Sequence, residues 1–375
     1  MNRTIAPSCL QPLLFGFDDL SCRLFTEPSE REKTFLSFWE ALQPLLPEPV
    51  TRERKTLYGR PSYPLVDILA VWAVKLCFSL KTVCAAVGLL KSSMNIRMMT
   101  GMGRVPSKAS VSRRTAELRA VMDVDGILGR LCESFYSGRL IGHLSIDSTI
   151  VDARERPVVR QKACETPKKR GRKRKGSPEE AEAERKRIEK ERLQTIEEEG
   201  DIDDYLSTLC QECSITGKKN SKGHMQWRIG YKIHLAVDGM GIPVAYAVTG
   251  ARVHDSKVAI PLMRKADERC PFLYALMDAG YCDRRIRAFA VSLGKVAIID
   301  SKAPPGGKKV PMDKAKAERY KARTTVERTN SEMKEKYLPY KLYSRKDRAL
   351  FEMELAVLLT AMDRMAQALR ERESA

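Results

Sequence analysis

The sequence LYALMDAGY at residues 273–281 and the sequence HLSIDSTIV at residues 143–151 decide the fold, because each leads a short apolar run to an aspartate. Aspartate is depleted in strands, and a charge at the end of a buried run must meet water, a cation or a hydrogen-bond network. Either aspartate alone is typical of a polar residue that begins a loop. If the two strands are neighbours, however, their spacing of about 4.8 Å lets Asp147 and Asp278 reach one bound cation.

Around these stretches, short apolar runs alternate with helical patterns, which predicts a central sheet covered by helices from about residue 142 onward. A hairpin is expected at residues 238–241, where Asp-Gly-Met-Gly offers the positive φ of a tight turn. Helices are predicted at 256–266, 283–293, 315–336 and 350–369, and a loop at 302–309. The predicted strands are 143–151, 231–237, 243–248, 273–277 and 295–299.

The first 135 residues have an all-helical pattern. Ser29 and Glu32 have the spacing of a capping box, followed by apolar residues at helical intervals through residue 46. Residues 64–86 predict one buried helix, and residues 106–122 predict another, with a serine as its cap. We therefore expect an α-helical domain for DNA binding or dimerisation over residues 1–135, followed by an α/β catalytic domain over residues 136–375.

The composition favours a polyanionic partner. The chain of 375 residues carries 67 Lys and Arg against 48 Asp and Glu, a formal net charge of +19, and its hydrophobic content of 43% suffices for a full core. The most apolar stretch, residues 65–80, is interrupted by charges and falls short of the roughly 20 residues of a membrane span. No signal-peptide pattern opens the sequence, and the ten cysteines form no regular framework. We expect a cytoplasmic protein with no membrane partner.

Residues 155–226 interrupt the alternation of strands and helices. This predicted insertion begins with a basic run that cannot pack into a core and is expected to be solvated and mobile without a partner. Residues 179–199 then alternate acids and bases, which favours an exposed helix. The basic run would add salt-sensitive, sequence-independent affinity for a DNA backbone. Its charged residues are Lys168, Lys169, Arg170, Arg172, Lys173, Arg174 and Lys175.

The helix predicted at 315–336 carries one mixed stripe of functional side chains. Tyr320, Arg323, Glu327 and Lys334 fall within an arc of about 60° of the helix surface. A solvated charged face is the usual fate of such residues. One acid among donors also suits phosphate contact beside a metal, with the glutamate as ligand and the cations against phosphate oxygens.

These residues carry a resemblance. The order strand with Asp147, hairpin, helix, strand with Asp278, strand, helix with Glu327 is similar to that of the DDE transposases of bacterial insertion sequences. The motif Tyr320-x2-Arg323-x3-Glu327-x6-Lys334 resembles the Y-x2-R-x3-E-x6-K signature of one subgroup, and the similarity covers residues 141–366. A weaker similarity to the N-terminal domain of these enzymes lies at Tyr58-Gly-Arg60-Pro61 and at residues 105–118.

The resemblance implies an RNase H-like mixed sheet in which Asp147, Asp278 and Glu327 hold two Mg²⁺ or Mn²⁺ ions. Water would first free a 3′-hydroxyl at each transposon end, and that hydroxyl would then attack target DNA. Tyr320, Arg323 and Lys334 would grip the phosphates of a transposon end. The substrate would be double-stranded DNA, and a homodimer is expected in the synaptic complex because two ends must be joined.

One departure concerns the second strand. Hairpin-forming members of the subgroup carry a β-rich insertion with a tryptophan between the second Asp and the Glu. Here 49 positions separate Asp278 from Glu327 (327 − 278), and no tryptophan lies between them. A hairpin route is therefore not implied. A non-catalytic DNA-binding protein and a nuclease that cuts without joining are the alternative functions.

Three weaker patterns have structural interpretations that stand beside the functional ones. Cys210-x2-Cys213 with His224 offers zinc ligands, but no fourth ligand follows at a recognisable spacing, which favours structural or free thiols. Asp255 begins a helix, so capping is its expected role and metal binding its alternative. Residues 107–119 predict either a recognition helix or a packing helix.

Overall fold

The computed structural model describes residues 28–52, 62–158, 202–219, 223–301 and 311–373. Several sequence predictions lie outside these residues: the motif at 58–61, the basic run from Lys168 to Lys175, the charged helix at 179–199 and the loop at 302–309. None of the helices within the described ranges has the length and apolar character needed to cross a bilayer.

As predicted, helices come first along the chain, and both strands and helices follow them. Helices α1 to α7 are Glu30–Leu42, Glu48–Thr51, Leu65–Cys77, Val83–Ser92, Met94–Thr100, Lys108–Val121 and Val124–Tyr136. Strands β1 to β6 are Ile141–Asp152, Ser214–Lys219, Met225–Val237, Pro243–Gly250, Phe272–Met277 and Val296–Ile299. Helices α8 to α13 are Ile202–Thr208, Ser256–Arg269, Arg284–Ser292, Lys314–Tyr320, Thr324–Lys336 and Asp347–Glu373. Three-residue 3₁₀ turns cover Gln43–Leu45, Ala279–Tyr281 and Lys321–Arg323.

The N-terminal helices begin at the predicted caps. Ser29 and Glu32 form the capping box at the start of α1, with the Ser29 amide donating to Glu32 Oε2 at 2.9 Å. Ser107 caps α6 by accepting from the Ser110 amide at 3.2 Å. These caps satisfy backbone donors that no helix can satisfy internally, so the sequence fixes both helix starts.

Residues 64–86 form parts of two helices, α3 and α4, and the prediction of one helix is wrong. The chain turns between them at Ser79, which has a φ of 53°. The Ser79 hydroxyl donates to the Lys336 carbonyl oxygen at 2.5 Å, a contact with a residue far along the chain. A local signal also marks the break, because Thr82 caps α4 by accepting from the Ala85 amide at 3.2 Å.

The described strands form one mixed six-stranded sheet. With helices before and between its strands along the chain, this sheet confirms the predicted α/β fold class. The strand order is β2-β3-β1-β5-β6, and β4 also pairs with β3. Strand β1 runs antiparallel to β3 and parallel to β5. The parallel strands are buried and nearly continuously apolar, as expected for strands covered by helices.

Strand β1 spans Ile141–Asp152, close to the predicted 143–151. Asp147 was expected at the end of a buried apolar run, and it lies within the strand, which continues through Asp152. The continuation consists largely of β-branched residues, Thr149 to Val151, which pair with β3 as far as Gly230. Asp278 does follow the last residue of β5, as predicted.

The predicted insertion at 155–226 contains two further elements. Helix α8 and strand β2 both lie within it, and β2 pairs antiparallel with the first half of β3, so that Ser214 faces Gly230. The sequence NSKGH at 220–224 between β2 and β3 is polar, and it follows the basic end of β2, so the apolar alternation that predicts strands is weak there.

Polar contacts join the N-terminal helices to the rest of the fold. Lys75 of α3 and Glu352 of α13 form an ion pair that is almost fully buried, and Ser344 Oγ donates to Glu352 Oε2 at 2.6 Å. Asp125 of α7 pairs with Lys265 of α9 at 2.8 Å and with Arg269 of α9 at 2.7 Å. The helical region and the sheet therefore pack as one continuous core.

Candidate active site

The first two acids lie side by side on neighbouring parallel strands. The register pairs Ile146 of β1 with Met277 of β5, and Asp147 and Asp278 are the next residue on each chain. Adjacent strands are about 4.8 Å apart, so two carboxylates at one register level meet at the same place. The structure thus brings Asp147 and Asp278 together at the carboxyl end of β5.

The environment of Asp147 disfavours its charged form. Burial raises its pKa to about 6, and the charge of Asp278 adds to that rise, while the Ser148 backbone amide and Arg323 act in the opposite direction. A carboxylate that is desolvated beside another carboxylate is stabilised by a cation. This environment therefore fits a cation-binding role.

Asp278 is held by the turn that follows β5. It caps the 3₁₀ turn Ala279–Tyr281, and its Oδ1 accepts from the Gly280 amide at 2.8 Å. A Cβ at position 280 would lie 2.9 Å from that oxygen, so a side chain there would displace the carboxylate. The Asp-Ala-Gly-Tyr sequence thus orients Asp278 through the absence of a side chain at Gly280.

Helix α12 packs on β1 and brings the third acid towards the first two. Val326 and Met333 are fully buried and form part of the packed face of this helix. Asn330 Nδ2 donates a long hydrogen bond to Asp147 Oδ2 at 3.5 Å. Glu327 lies one turn before Asn330 on the same side of the helix. The predicted helix at 315–336 is interrupted by the 3₁₀ turn Lys321–Arg323.

Arg323 links Glu327 to the two aspartates. Its guanidinium forms an ion pair with Glu327 and lies 5.8 Å from the centre of the Tyr320 ring. Burial opposes its charge, but Tyr320, Glu327, Asp147 and Asp278 together raise the pKa of Arg323. Five of the predicted residues, Tyr320, Arg323, Glu327, Asp147 and Asp278, thus interact electrostatically with one another. Lys334 lies half-buried two turns beyond Glu327.

The donor set fits a divalent cation by its chemistry. Mg²⁺ and Mn²⁺ prefer carboxylate oxygens, and three carboxylates supply them here. In the ranges that the structure covers, no three His, Cys, Asp or Glu side chains are arranged to hold a metal ion. The Glu327 carboxylate forms an ion pair with Arg323.

A polar network behind Asp147 was missed in the sequence. Asp255 sits at the start of α9 without capping it, so the capping interpretation is wrong. Its Oδ1 accepts instead from Lys232 Nζ at 2.8 Å and lies 3.7 Å from His234 Nδ1. Burial opposes its charge, but His234 and Lys232 lower the pKa of Asp255, and the Ser148 hydroxyl bonds to it.

The spacing of this network carried a signal. Lys232 and His234 alternate with apolar residues on β3, and register pairs His234 with Ser148, next to Asp147. Polar residues at alternate positions of an otherwise buried strand need partners. Asp238 is the acid nearest to them in sequence, but in the structure the partner is Asp255. Asn330 was also missed, although its spacing of three from Glu327 places it on the same helix face.

The weaker sequence patterns receive structural roles. Cys210 and Cys213 are free thiols, Cys213 being buried and Cys210 half-buried, and His224 is exposed. Helix α6 packs through Thr115, which accepts from Trp72 Nε1 at 3.0 Å, and through Arg119, which pairs with Asp347 at 2.8 Å. These contacts assign at least one face of α6 to packing.

The comparison with known families gives one result. Residues 194–362 match the family model described as the transposase DDE domain. The DDE-domain match covers a little under half of the chain and includes Asp278, Glu327 and the residues from Tyr320 to Lys334, whereas Asp147 lies before it. It supports a DDE transposase family and transposase activity in general. No curated protein and no solved structure matches the chain.

Proposed function

We propose that this protein is an insertion-sequence transposase that cleaves DNA at the ends of a transposon and transfers the freed 3′-hydroxyl into target DNA. The observation that carries the proposal is the placement of Asp147 beside Asp278 under the helix that bears Glu327. The DDE-domain match supports the same family of reactions. The spacing of Tyr320, Arg323, Glu327 and Lys334 supports the proposal that the chain belongs to the Y-x2-R-x3-E-x6-K subgroup.

In this proposal, Asp147, Asp278 and Glu327 hold two Mg²⁺ or Mn²⁺ ions. When bound, such a pair activates the attacking oxygen and stabilises the leaving oxygen of the phosphodiester. Other residues of the chain contact and orient these three acids. Gly280 orients Asp278, Asn330 contacts Asp147, and Arg323 forms an ion pair with Glu327 at the edge of the site.

The DNA-binding role rests on the cations around the acids. Arg323 and Lys334, with Tyr320, would contact the phosphates of a transposon end, because a guanidinium and an ammonium both bind phosphate oxygens. The run from Lys168 to Lys175 would add non-specific backbone affinity. The partner is double-stranded DNA, and the working unit at two joined ends is a homodimer. The protein would act at the bacterial nucleoid.

The proposal is tested by cleavage of a duplex that carries the inverted repeats flanking this reading frame, with Mg²⁺. We expect Asp147→Ala, Asp278→Ala and Glu327→Ala each to abolish cleavage while duplex binding without metal is retained. Glu335→Ala is the matched control, because Glu335 is an exposed acid of the same helix. Undiminished cleavage by any of the three variants would reject the site.

A second assay separates the alternatives. Precleaved ends with a free 3′-hydroxyl are supplied together with a target plasmid, and joined products are sought. Joined product supports a transposase. Cleavage without joining would identify a nuclease, and binding without either reaction would identify a non-catalytic DNA-binding protein.

A further inference from the structure

Strand β3 extends beyond the body of the sheet. Residues 230–237 of β3 pair with β1, and residues 231–237 also pair with β4. The preceding residues, 225–230, pair with β2. These residues and β2 form a two-stranded extension, which we call the β2–β3 ribbon and define as residues 214–219 and 225–230.

One face of the β2–β3 ribbon is apolar and exposed. Met225, Trp227 and Ile229 alternate along β3 and so share a face, and Ile215 is the register partner of Ile229. The Trp227 side chain is 71% exposed. A Cβ at Gly217, the register partner of Trp227, would lie 3.1 Å from Cζ3 of its ring. The glycine therefore leaves room for the indole to lie across the ribbon.

This face continues the face of the sheet that carries Asp147. The register pairs Asp147 with Leu235, and residues 233, 231, 229, 227 and 225 follow on the same side of β3. Ile233 and Tyr231 are buried, whereas the next members of the row are exposed. Eight residues separate Trp227 from Leu235, so the indole lies about 27 Å along the strand from the level of Asp147.

The charge of the ribbon favours DNA as the occupant of this face. The 24 residues from Ser214 to Val237 contain no Asp or Glu and five basic residues: Lys218, Lys219, Lys222, Arg228 and Lys232. A second copy of this chain, with its net charge of +19, would bring like charges together there. Arg228 pairs with Asp152 and Lys232 with Asp255, so the charge that favours DNA is that of the sequence at Lys218, Lys219 and Lys222. A DNA duplex would meet an apolar surface next to this basic sequence.

We propose that the β2–β3 ribbon binds the same DNA duplex as the acidic site, and that Trp227 packs against a sugar or the exposed edge of a base. The major groove of B-DNA admits a two-stranded ribbon. A separation of about 27 Å corresponds to about eight base pairs, so one duplex can reach both places. This inference rests on the proposed function, because it concerns the same substrate.

Tryptophan fluorescence of the full-length protein tests the inference directly. The chain has three tryptophans, and Trp39 and Trp72 are buried, so a change in the solvent-exposed emission reports Trp227. The probe is the duplex with the inverted repeats, and a random-sequence duplex of equal length serves for comparison, both without metal. We expect DNA to quench the emission of Trp227 and to protect it from acrylamide.

The DNA affinity of Trp227 variants provides a second test of the inference. We expect Trp227→Ala to bind the duplex about tenfold more weakly and Trp227→Phe to restore most of the affinity. Val291→Ala is the control, because Val291 of α10 is equally exposed and should leave the affinity unchanged. Equal thermal unfolding of Trp227→Ala and wild type shows that the fold is intact.

The results that would overturn the inference are as follows. Wild-type affinity in Trp227→Ala, or unchanged emission on saturation with DNA, would overturn the inference. Emission that changes with protein concentration in the absence of DNA, with DNA affinity unaffected by Trp227→Ala, would assign the face to a second copy of the chain and would also overturn it. If wild type cleaves the duplex, the proposed function survives either failure, whereas a wild type that neither binds nor cleaves DNA would remove both.

Discussion

Asn330 Nδ2 lies 3.5 Å from Asp147 Oδ2, so the helix that carries Glu327 touches the strand that carries the first acid. The two residues are 183 positions apart in the sequence, and their contact is the direct link between α12 and the acidic pair. A change at Asn330 therefore tests whether the placement of α12 over β1 matters for the reaction.

Asn330→Ala should lower the rate of DNA cleavage about fivefold, the equivalent of about 1 kcal/mol for one lost hydrogen bond. Duplex affinity should remain unchanged, because Asn330 is buried and offers nothing to DNA. Single-turnover cleavage at saturating duplex measures the rate, with Ser331→Ala, an exposed neighbour, as control. A wild-type rate in Asn330→Ala would show that the contact has no role.

Arg323→Gln should weaken duplex binding and reduce its dependence on salt. One phosphate contact contributes about one unit to the slope of log K against log salt, so the slope should fall by about one. Binding titrations at several salt concentrations give the slope. Arg328→Gln is the matched control on the same helix, because Arg328 is exposed and bonds to Thr324 rather than to an acid of the site. An unchanged slope in Arg323→Gln would place Arg323 outside the DNA contact.

His234 should make the fold sensitive to mild acid. Complete burial lowers the pKa of His234 from 6.5 to about 3, outweighing the nearby Asp255. Below pH 6.5 the His234 imidazole is therefore protonated in the unfolded chain but neutral in the folded chain. The free energy of unfolding consequently decreases as the pH falls. From pH 7 to pH 5 this loss amounts to about 2 kcal/mol.

The measurement is the free energy of unfolding from urea titrations at pH 7 and pH 5, in wild type and in His234→Gln. At pH 7 the variant is expected to have a lower free energy of unfolding, because it disturbs the hydrogen bond between His234 and Thr249. The part of the pH dependence that comes from His234 should be absent in the variant. An identical pH dependence in both proteins would contradict the assignment.

The buried pair Lys75–Glu352 should behave as a coupled unit. Lys75→Met leaves the Glu352 charge buried without its partner and should lower the free energy of unfolding by about 3 to 5 kcal/mol. The double variant Lys75→Met with Glu352→Leu should recover most of that loss, because it removes both charges. Urea titrations measure both effects, with Lys336→Met as the control for a half-exposed ion pair. A double variant no more stable than Lys75→Met would contradict the coupling.

Much of the fold followed from local patterns. The five strands predicted around Asp147 and Asp278 are present, and the capping box at Ser29 and the cap at Ser107 mark true helix starts. Predictions failed where a distant residue decides the local structure. At the break between α3 and α4, Ser79 bonds to the distant Lys336, and strand β2 pairs with β3 across a polar segment.

The site likewise has features that follow from local sequence patterns and features that depend on the partner a side chain selects. The parallel register of β1 and β5 turns two separate apolar runs into one acidic pair, as their sequences predicted. The orientation of Glu327 did not follow from helix spacing, because spacing gives the face of a residue and not the partner it selects. Arg323 is four residues before Glu327 on the same stripe, and in the structure the two side chains bind each other.

The central claim is that Asp147, Asp278 and Glu327 share divalent cations, and Mn²⁺ binding followed by electron paramagnetic resonance tests it most directly. The full-length protein, bound to the inverted-repeat duplex, is titrated with Mn²⁺ beside Asp147→Asn, Asp278→Asn, Glu327→Gln and the control Glu335→Gln. We predict two bound ions in wild type and in the control, and loss of at least one ion in each of the other three variants. Equal Mn²⁺ binding in all five proteins would contradict the claim.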